Sequence, residues 1–373
     1  MDGARKIRVL IVDDSAIVRK VLSSILDPEP DIEVVGTAPD PFIARDKILS
    51  LKPDVLTLDI EMPRMDGLTF LEKLMTHHPL PVIMISSLAQ SSTRAALEAV
   101  NRGAVDVLAK PGGPYSVGDL KGDLPHRVRA AARARLRAKP GPHAPARPPA
   151  AAANPSAARE HSAPAKPVNA ASPAAQPARF RNSMLLAIGA STGGTVAIEQ
   201  ILTQCPVETP PIVIAQHIPA GFSAAFAERL NKVCAIEVRE ARDGDAARTG
   251  LALVAPGNRH MRVRNTASNG WVVQLDDGPK VCYQRPSVDV LFQSVAEQAG
   301  RNAAGAILTG MGSDGADGLL AMRRAGSKTM AQDEATCVVF GMPREAIIRG
   351  GAEQTLPLGR IARALLDACK LAG

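Results

Sequence analysis

Residues 185–202 read LLAIGASTGGTVAIEQIL. An uninterrupted apolar run, Leu185–Ala190, meets a cluster of small residues and then a helix-like stretch. A strand apolar on both faces, turning straight into a helix, is the repeating unit of a buried parallel sheet. One serine, Ser191, sits at the joint. Its surroundings, GASTG, fit G-x-S-x-G, the pattern of a nucleophile on a strand-to-helix turn. A helix cap or simple turn residue is the competing reading. A dinucleotide-binding loop is excluded, because GASTGG lacks the G-x-G-x-x-G order.

The same alternation extends outward in both directions. After Ser191, PIVIAQHI, AIEVREA, LALVAP, AAGAILTG and SKTMAQD read as strands. SAAFAERLN, VDVLFQSVAEQAG and ADGLLAMRRAG read as helices. Asn269-Gly270, between HMRVR and WVVQLDD, is a hairpin signal. This half is therefore expected to be α/β, with a mostly parallel sheet and an antiparallel hairpin. Toward the N-terminus, IRVLIVDD, IEVVGTA, DVLTLDI, PVIMISS and AVDVLAK alternate with SAIVRKVLSSIL, PFIARDKILSL and further helix-like stretches. Five such strands predict a doubly wound, flavodoxin-like parallel sheet, with ligands at the carboxyl ends of its strands.

Between the halves, composition collapses to Ala, Pro, Ser and scattered charges. That segment cannot offset its ordering entropy and is expected to be a disordered tether. The expected organisation is a doubly wound domain at 1–138, a linker at 139–180 and a second domain at 181–373. The Arg-rich HRVRAAARARLRAK before the tether is expected to be a solvated final helix.

Composition narrows the function class. The 373 residues are 46% hydrophobic and only 3% aromatic, so aliphatic side chains must fill the cores. The formal charge of +7 lies largely between Arg127 and Arg181, outside the folded halves, so nucleic acid is not an expected partner. The cysteines (Cys205, Cys234, Cys282, Cys337 and Cys369) form no CxxC pair and are expected as small buried hydrophobes. No apolar run approaches the roughly 18 residues of a membrane helix, and the first one stops at Asp13, too soon for a signal peptide. A cytoplasmic protein without membrane insertion is expected.

Acidic residues end two strands of the first half. Asp13 and Asp14 follow one, and Asp59 ends another. Adjacent strand ends would gather them into one crevice, where charges about 4 Å apart repel by roughly 4 kcal/mol at a dielectric near 20. Such a cluster needs a cation, a proton or a lysine, and Mg²⁺ suits all-oxygen ligation. Lys110 can add positive charge at a neighbouring strand end, and Ser86 offers a hydroxyl. Helix capping by each Asp is the alternative.

A serine nucleophile requires a base. Only His217 and His260 lie in the second half, and His217 ends the strand after Ser191. Asp314 follows AAGAIL inside the glycine-rich TGMGSDGADG. Strand-end Ser, His and Asp are the set needed for base-assisted acyl transfer: Ser191 attacks, His217 moves the proton, and Asp314 orients the imidazole. The backbone N–H groups of Thr192 and Met311 are candidate oxyanion donors. The chain order Ser…His…Asp differs from the Ser…Asp…His of α/β-hydrolases.

These motifs carry two resemblances. VDDS, LDIEMPRMDGL, MISS and AKP resemble a two-component receiver domain. The resemblance implies that Asp59 is the phosphoacceptor. It further implies that Asp13, Asp14, Asp59 and the Glu61 carbonyl hold Mg²⁺, and that Ser86 and Lys110 contact the phosphoryl group. Val107 stands where receivers usually carry Phe or Tyr. AIGASTGGTVAI, AQHIPAGFSAAFAERLN, APGNRHM, RPSVDVLFQSV, LTGMGSDGADGLLAMRRAG and AQDEATCVVFGMPREAI resemble the catalytic domain of chemotaxis protein-glutamate methylesterases. Ser191, His217 and Asp314 fall on that family's triad positions. The resemblance implies hydrolysis of glutamate γ-methyl esters and deamidation of glutamines on chemoreceptors, with no metal or other cofactor at the triad. A chemotaxis histidine kinase would be the phosphodonor. The receiver is expected to cover the serine crevice until Asp59 is phosphorylated, since a tether of about 40 residues spans roughly 35 Å as a coil. Two rival readings are a non-catalytic response regulator with a partner- or nucleic-acid-binding second half, and a hydrolase for another acyl substrate.

Overall fold

The computed structural model describes residues 5–87, 89–110, 117–136, 180–181, 183–266 and 270–370. Apart from Phe180, the expected tether lies outside the described residues.

The first half alternates β1 (Ile7–Val12), α1 (Ala16–Leu26), β2 (Ile32–Ala38), α2 (Pro41–Leu51), β3 (Val55–Asp59) and α3 (Gly67–His77). It continues with β4 (Val82–Ser86), α4 (Gln90–Asn101), β5 (Asp106–Ala109) and α5 (Val117–Ala132). All pairings are parallel, in the order β2-β1-β3-β4-β5. Short polar residues start the helices. Ser15 caps α1, Asp66 caps α3, and Asp40 accepts from the Phe42 and Ile43 amides ahead of Pro41 in the first turn of α2.

The Arg-rich helix departs from expectation. It ends at Ala132, and one face is core: Leu120, Leu124, Val128 and Ala131 are buried. Arg127 is itself buried and pairs with Asp106 at 2.7 Å, while Arg129 pairs with Asp31 at 2.6 Å. These arginines serve the fold rather than solvent.

The second half begins β6 (Leu185–Ala190), α6 (Gly194–Leu202), β7 (Ile212–Gln216), α7 (Phe222–Val233), β8 (Glu237–Glu240), β9 (Ala246–Ala247) and β10 (Leu251–Val254). The hairpin strands β11 (His260–Thr266) and β12 (Gly270–Asp276) follow, then α8 (Val288–Ala299), β13 (Ala303–Ile307) and α9 (Ala316–Arg324). The chain closes with β14 (Lys328–Gln332), α10 (Met342–Ile348), β15 (Gln354–Leu356) and α11 (Leu358–Cys369). Seven strands form one parallel sheet, ordered β15-β14-β13-β6-β7-β10-β8. The antiparallel part is a separate three-stranded sheet, β11-β12-β9. β11 and β12 pair antiparallel up to Thr266 opposite Gly270, the hairpin that Asn269-Gly270 signals; Asn269 itself lies outside the described residues. Gly270 opens β12 at φ 63°. Cys282 is exposed, against the expectation of burial; Cys205, Cys337 and Cys369 are buried. Among the described residues, no helix is long and apolar enough to cross a membrane.

Candidate active site

β6 lies between β13 and β7, so the chain leaves the sheet in opposite directions on its two sides. Such a point opens a crevice at the carboxyl ends of the strands. Ala190 pairs with Gln216, which sets Ser191 and His217 abreast, and the His217 amide donates to Ala190 O at 3.1 Å. On the other side, the chain continues from β13 to Asp314. His217 Nε2 lies 2.7 Å from Asp314 Oδ2, with both side chains buried.

Asp314 is held from several directions. It accepts from Ser287 Oγ at 2.7 Å, the Val288 amide at 2.7 Å and the Asp289 amide at 3.0 Å, besides His217. Burial alone would raise its pKa; these bonds, His217's first, hold the carboxyl below the usual carboxylate range. Asp314 is therefore ionised and accepts the Nε2 proton, leaving Nδ1 as the nitrogen that can take a proton from elsewhere. Ser191 is 9% exposed. Its amide donates to Thr309 O at 3.0 Å, and among the described residues its hydroxyl makes no hydrogen bond. The backbone N–H groups of Thr192 and Met311 likewise donate to no described group.

Glycines permit this crowding. A Cβ on Gly310 would stand 2.7 Å from Ser191 Cβ, so only glycine lets the strand leading to Met311 pass so close. Gly193, at φ 77°, makes the turn from Ser191 into α6.

Several supporting residues escaped the sequence reading. Ser287 caps α8 and binds Asp314, and its own amide donates to His260 Nδ1 at 3.2 Å. His260, buried, also meets Pro279 O through Nε2 at 2.9 Å. Asp289 accepts from the Gly318 amide at 2.7 Å, and burial, with the Asp314 charge beside it, pushes its carboxyl up to about 6. Thr309 Oγ1 donates to Thr192 O at 3.0 Å. The only cue was the Ser-x-Asp at the start of α8, which reads as an ordinary helix cap.

In the first half, Asp13, Asp14 and Asp59 offer carboxylate oxygens that all lie within 4.8 Å of one another. Lys110 Nζ reaches Asp59 Oδ2 at 2.7 Å and Asp13 Oδ2 at 3.1 Å. Burial, aided by the Asp13 charge, pushes Asp59 up to about 6, and burial raises Asp13 too. The Ser86 hydroxyl, at the end of β4, reaches Ser87 O and Ser92 O, both at 3.1 Å. The Glu61 amide donates to Asp59 Oδ1 at 3.3 Å, and its carboxylate accepts from the Ser87 and Ser92 hydroxyls. Val107 is buried in the core.

A stability test follows from Asp59. Its pKa is about 6 in the folded state against an ordinary 3.8. Its contribution therefore favours the fold below 3.8 and is lost as pH rises through about 6. In magnesium-free buffer at pH 7.5, Asp59→Asn is expected to melt about 2–6 °C above the parent, with the gain shrinking toward pH 4. Thermal melts across that range check it; a gain that does not change with pH contradicts this origin.

The two halves meet at the serine turn. Asp106, at the start of β5, accepts from Thr192 Oγ1 at 2.8 Å, one residue from Ser191. Arg94 on α4 pairs with Glu228 on α7 at 3.0 Å, and the Arg135 amide donates to Val338 O at 3.0 Å. Arg133 and Arg135, just past the end of α5, line a cleft of about 610 Å³ with Met311 and Ser313.

The sequence profile described as CheB methylesterase matches residues 186–365, and that of the response regulator receiver domain matches 9–117. A protein-glutamate methylesterase/protein-glutamine glutaminase of Syntrophus aciditrophicus is 51% identical, over 96% of this chain and 97% of its own length. One from Anaeromyxobacter dehalogenans is 52% identical over 99% and 96%, and that of Escherichia coli K12 is 47% identical over 97% and 96%. Both folded halves and nearly the full length of each relative are covered, so the shared architecture is that of the whole protein: the chain belongs to the CheB methylesterase family, with a response regulator receiver domain ahead of its hydrolase domain.

Proposed function

We infer that the chain hydrolyses glutamate γ-methyl esters, and deamidates glutamines, on chemoreceptors. The observation that carries this reading is the buried His217–Asp314 pair at 2.7 Å, set beside Ser191 across one strand pairing. Ser191 Oγ attacks the side-chain carbonyl carbon while its proton passes to His217 Nδ1. The Thr192 and Met311 N–H groups receive the developing oxyanion. The acyl–oxygen bond breaks and methanol leaves with the proton held by His217; for glutamine, ammonia leaves instead. Water then attacks the acyl-serine, His217 takes its proton, and Ser191 is regenerated. Family membership disfavours a non-catalytic output domain. The decisive assay incubates receptor bearing labelled methyl groups with the protein and measures released methanol. Release no faster than from the Ser191→Ala variant would refute the reading.

Regulation is assigned to residues 1–138, with 139–180 as linker and 181–373 as the hydrolase domain. Asp13, Asp14 and Asp59, with the Glu61 carbonyl, would hold Mg²⁺, because the set is all oxygen and gathered within 4.8 Å. Bound there, the ion would neutralise charge on a transferring phosphoryl group. Asp59 accepts that group from a histidine kinase, and Lys110 balances its charge. Ser86 contacts it only after rotating away from Ser87 O and Ser92 O. A cytoplasmic location matches such partners.

The receiver contacts at Thr192 and Glu228 support occlusion of the serine site in the unphosphorylated chain. An exposed ion pair contributes little, so reversing one charge should shift this closure only modestly. Arg94→Glu is therefore expected to raise basal methanol release about 3–5-fold. Adding Glu228→Arg should return it to the parent rate. Unchanged rates in both variants would remove this contact from the closure.

A further inference from the structure

Gln216 has no part in the triad, yet it is more enclosed than the nucleophile, at 2% exposure against 9% for Ser191. Its Nε2 donates to the carbonyl of Ser191 at 2.9 Å and to that of His217 at 3.2 Å. Its Oε1 is buried without a partner. Turning the amide over would set that oxygen against two carbonyl oxygens, so the orientation is fixed. A buried oxygen without a donor is a standing cost. Natural folds keep such costs where a site needs them. Gly194 makes room, since a Cβ there would stand 3.1 Å from Gln216 Cδ.

The Ser191 carbonyl is gripped twice, by Gln216 and by the Gly194 amide at 2.7 Å. That carbonyl and the Thr192 N–H belong to one planar trans peptide and point in opposite directions. Fixing the oxygen therefore aims the N–H. We propose that Gln216 is a positioning residue: through the Ser191 carbonyl it directs the Thr192 N–H at the oxyanion, and through the His217 carbonyl it ties the base to the nucleophile turn. The proposal rests on Ser191 being the nucleophile.

Gln216→Met keeps chain length and bulk but removes both donors. An oxyanion forms only in the transition state, so kcat for methanol release should fall about 10–100-fold, with KM within about twofold. The midpoint of the pH–kcat/KM profile should stay put, because the His217–Asp314 pair is untouched. Gln216→Glu, which sets an oxygen against both carbonyls, should lose more. A kcat within threefold of the parent overturns the proposal, as does a loss carried by KM or by a moved pH midpoint. Should Gln216→Met fail to fold, Gln216→Asn, whose shorter amide cannot span both carbonyls, is judged by the same criteria. Parent and Ser191→Ala run in the same assay separate the two ideas. Equal rates there remove the hydrolase reading itself, whatever Gln216 does.

Discussion

Ser191→Ala is expected to lower receptor demethylation about 10⁶-fold, the scale on which serine hydrolases lose turnover with their nucleophile. The structure makes this a clean experiment. The Ser191 hydroxyl forms no hydrogen bond among the described residues, and its amide and carbonyl contacts survive the change. Alanine removes one oxygen from an enclosed position and leaves no buried group without a partner. The melting temperature should stay within about 2 °C of the parent. Some acceleration over water should persist, because the oxyanion donors and the substrate-binding surface remain. Methanol release over long incubations, with a melt on the same preparation, reads both quantities. A variant keeping a tenth of the parent rate would disqualify Ser191.

Asp314→Asn should cost about 10⁴-fold in kcat, the effect of imposing the wrong imidazole tautomer in such a site. Both Asp314 oxygens accept two bonds each: from the Val288 amide and His217 at Oδ2, and from the Ser287 hydroxyl and the Asp289 amide at Oδ1. An amide NH₂ must replace one of them. At the Oδ1 position it faces the Asp289 N–H, which cannot turn away. At the Oδ2 position it faces the Val288 N–H and donates to His217 Nε2, which forces the imidazole proton onto Nδ1. A protonated Nδ1 cannot accept the serine proton. Either arrangement also leaves a buried donor unpaired at about 1–3 kcal/mol, so this variant should melt lower than Ser191→Ala. Steady-state kinetics and melts distinguish the two. Asp314→Asn with near-parent kcat would assign imidazole orientation to another group.

The fold and the gathering of Ser191, His217 and Asp314 were legible because both follow from strand ends. LLAIGA, PIVIAQ and AAGAIL announce parallel strands, and the residue types that follow each of them land at one sheet edge. What supports the triad was not legible. Ser287 meets Asp314 across 27 positions, and nothing local to the start of α8 distinguishes it from a cap. Asp106 meets Thr192 across 86 positions, through contact between halves that each look complete alone. The role of Arg127 was hidden for the same reason: its partner Asp106 opens a different strand, so the helix looked merely basic. β9 is two residues long, too short to show any alternation.

The hydrogen bonding of Ser86 joins the end of β4 to the helix that touches the second half. A hydroxyl has one proton. Here it is given to carbonyls that include Ser92 O, on the helix whose Arg94 grips Glu228. Were Asp59 to carry a phosphoryl group, as proposed, an oxygen that claimed that proton would leave Ser92 O with its partner inside the helix alone. The proposed phosphate would thus loosen one hydroxyl contact on the element whose Arg94 reaches the second half, a link made of hydroxyl and backbone alone.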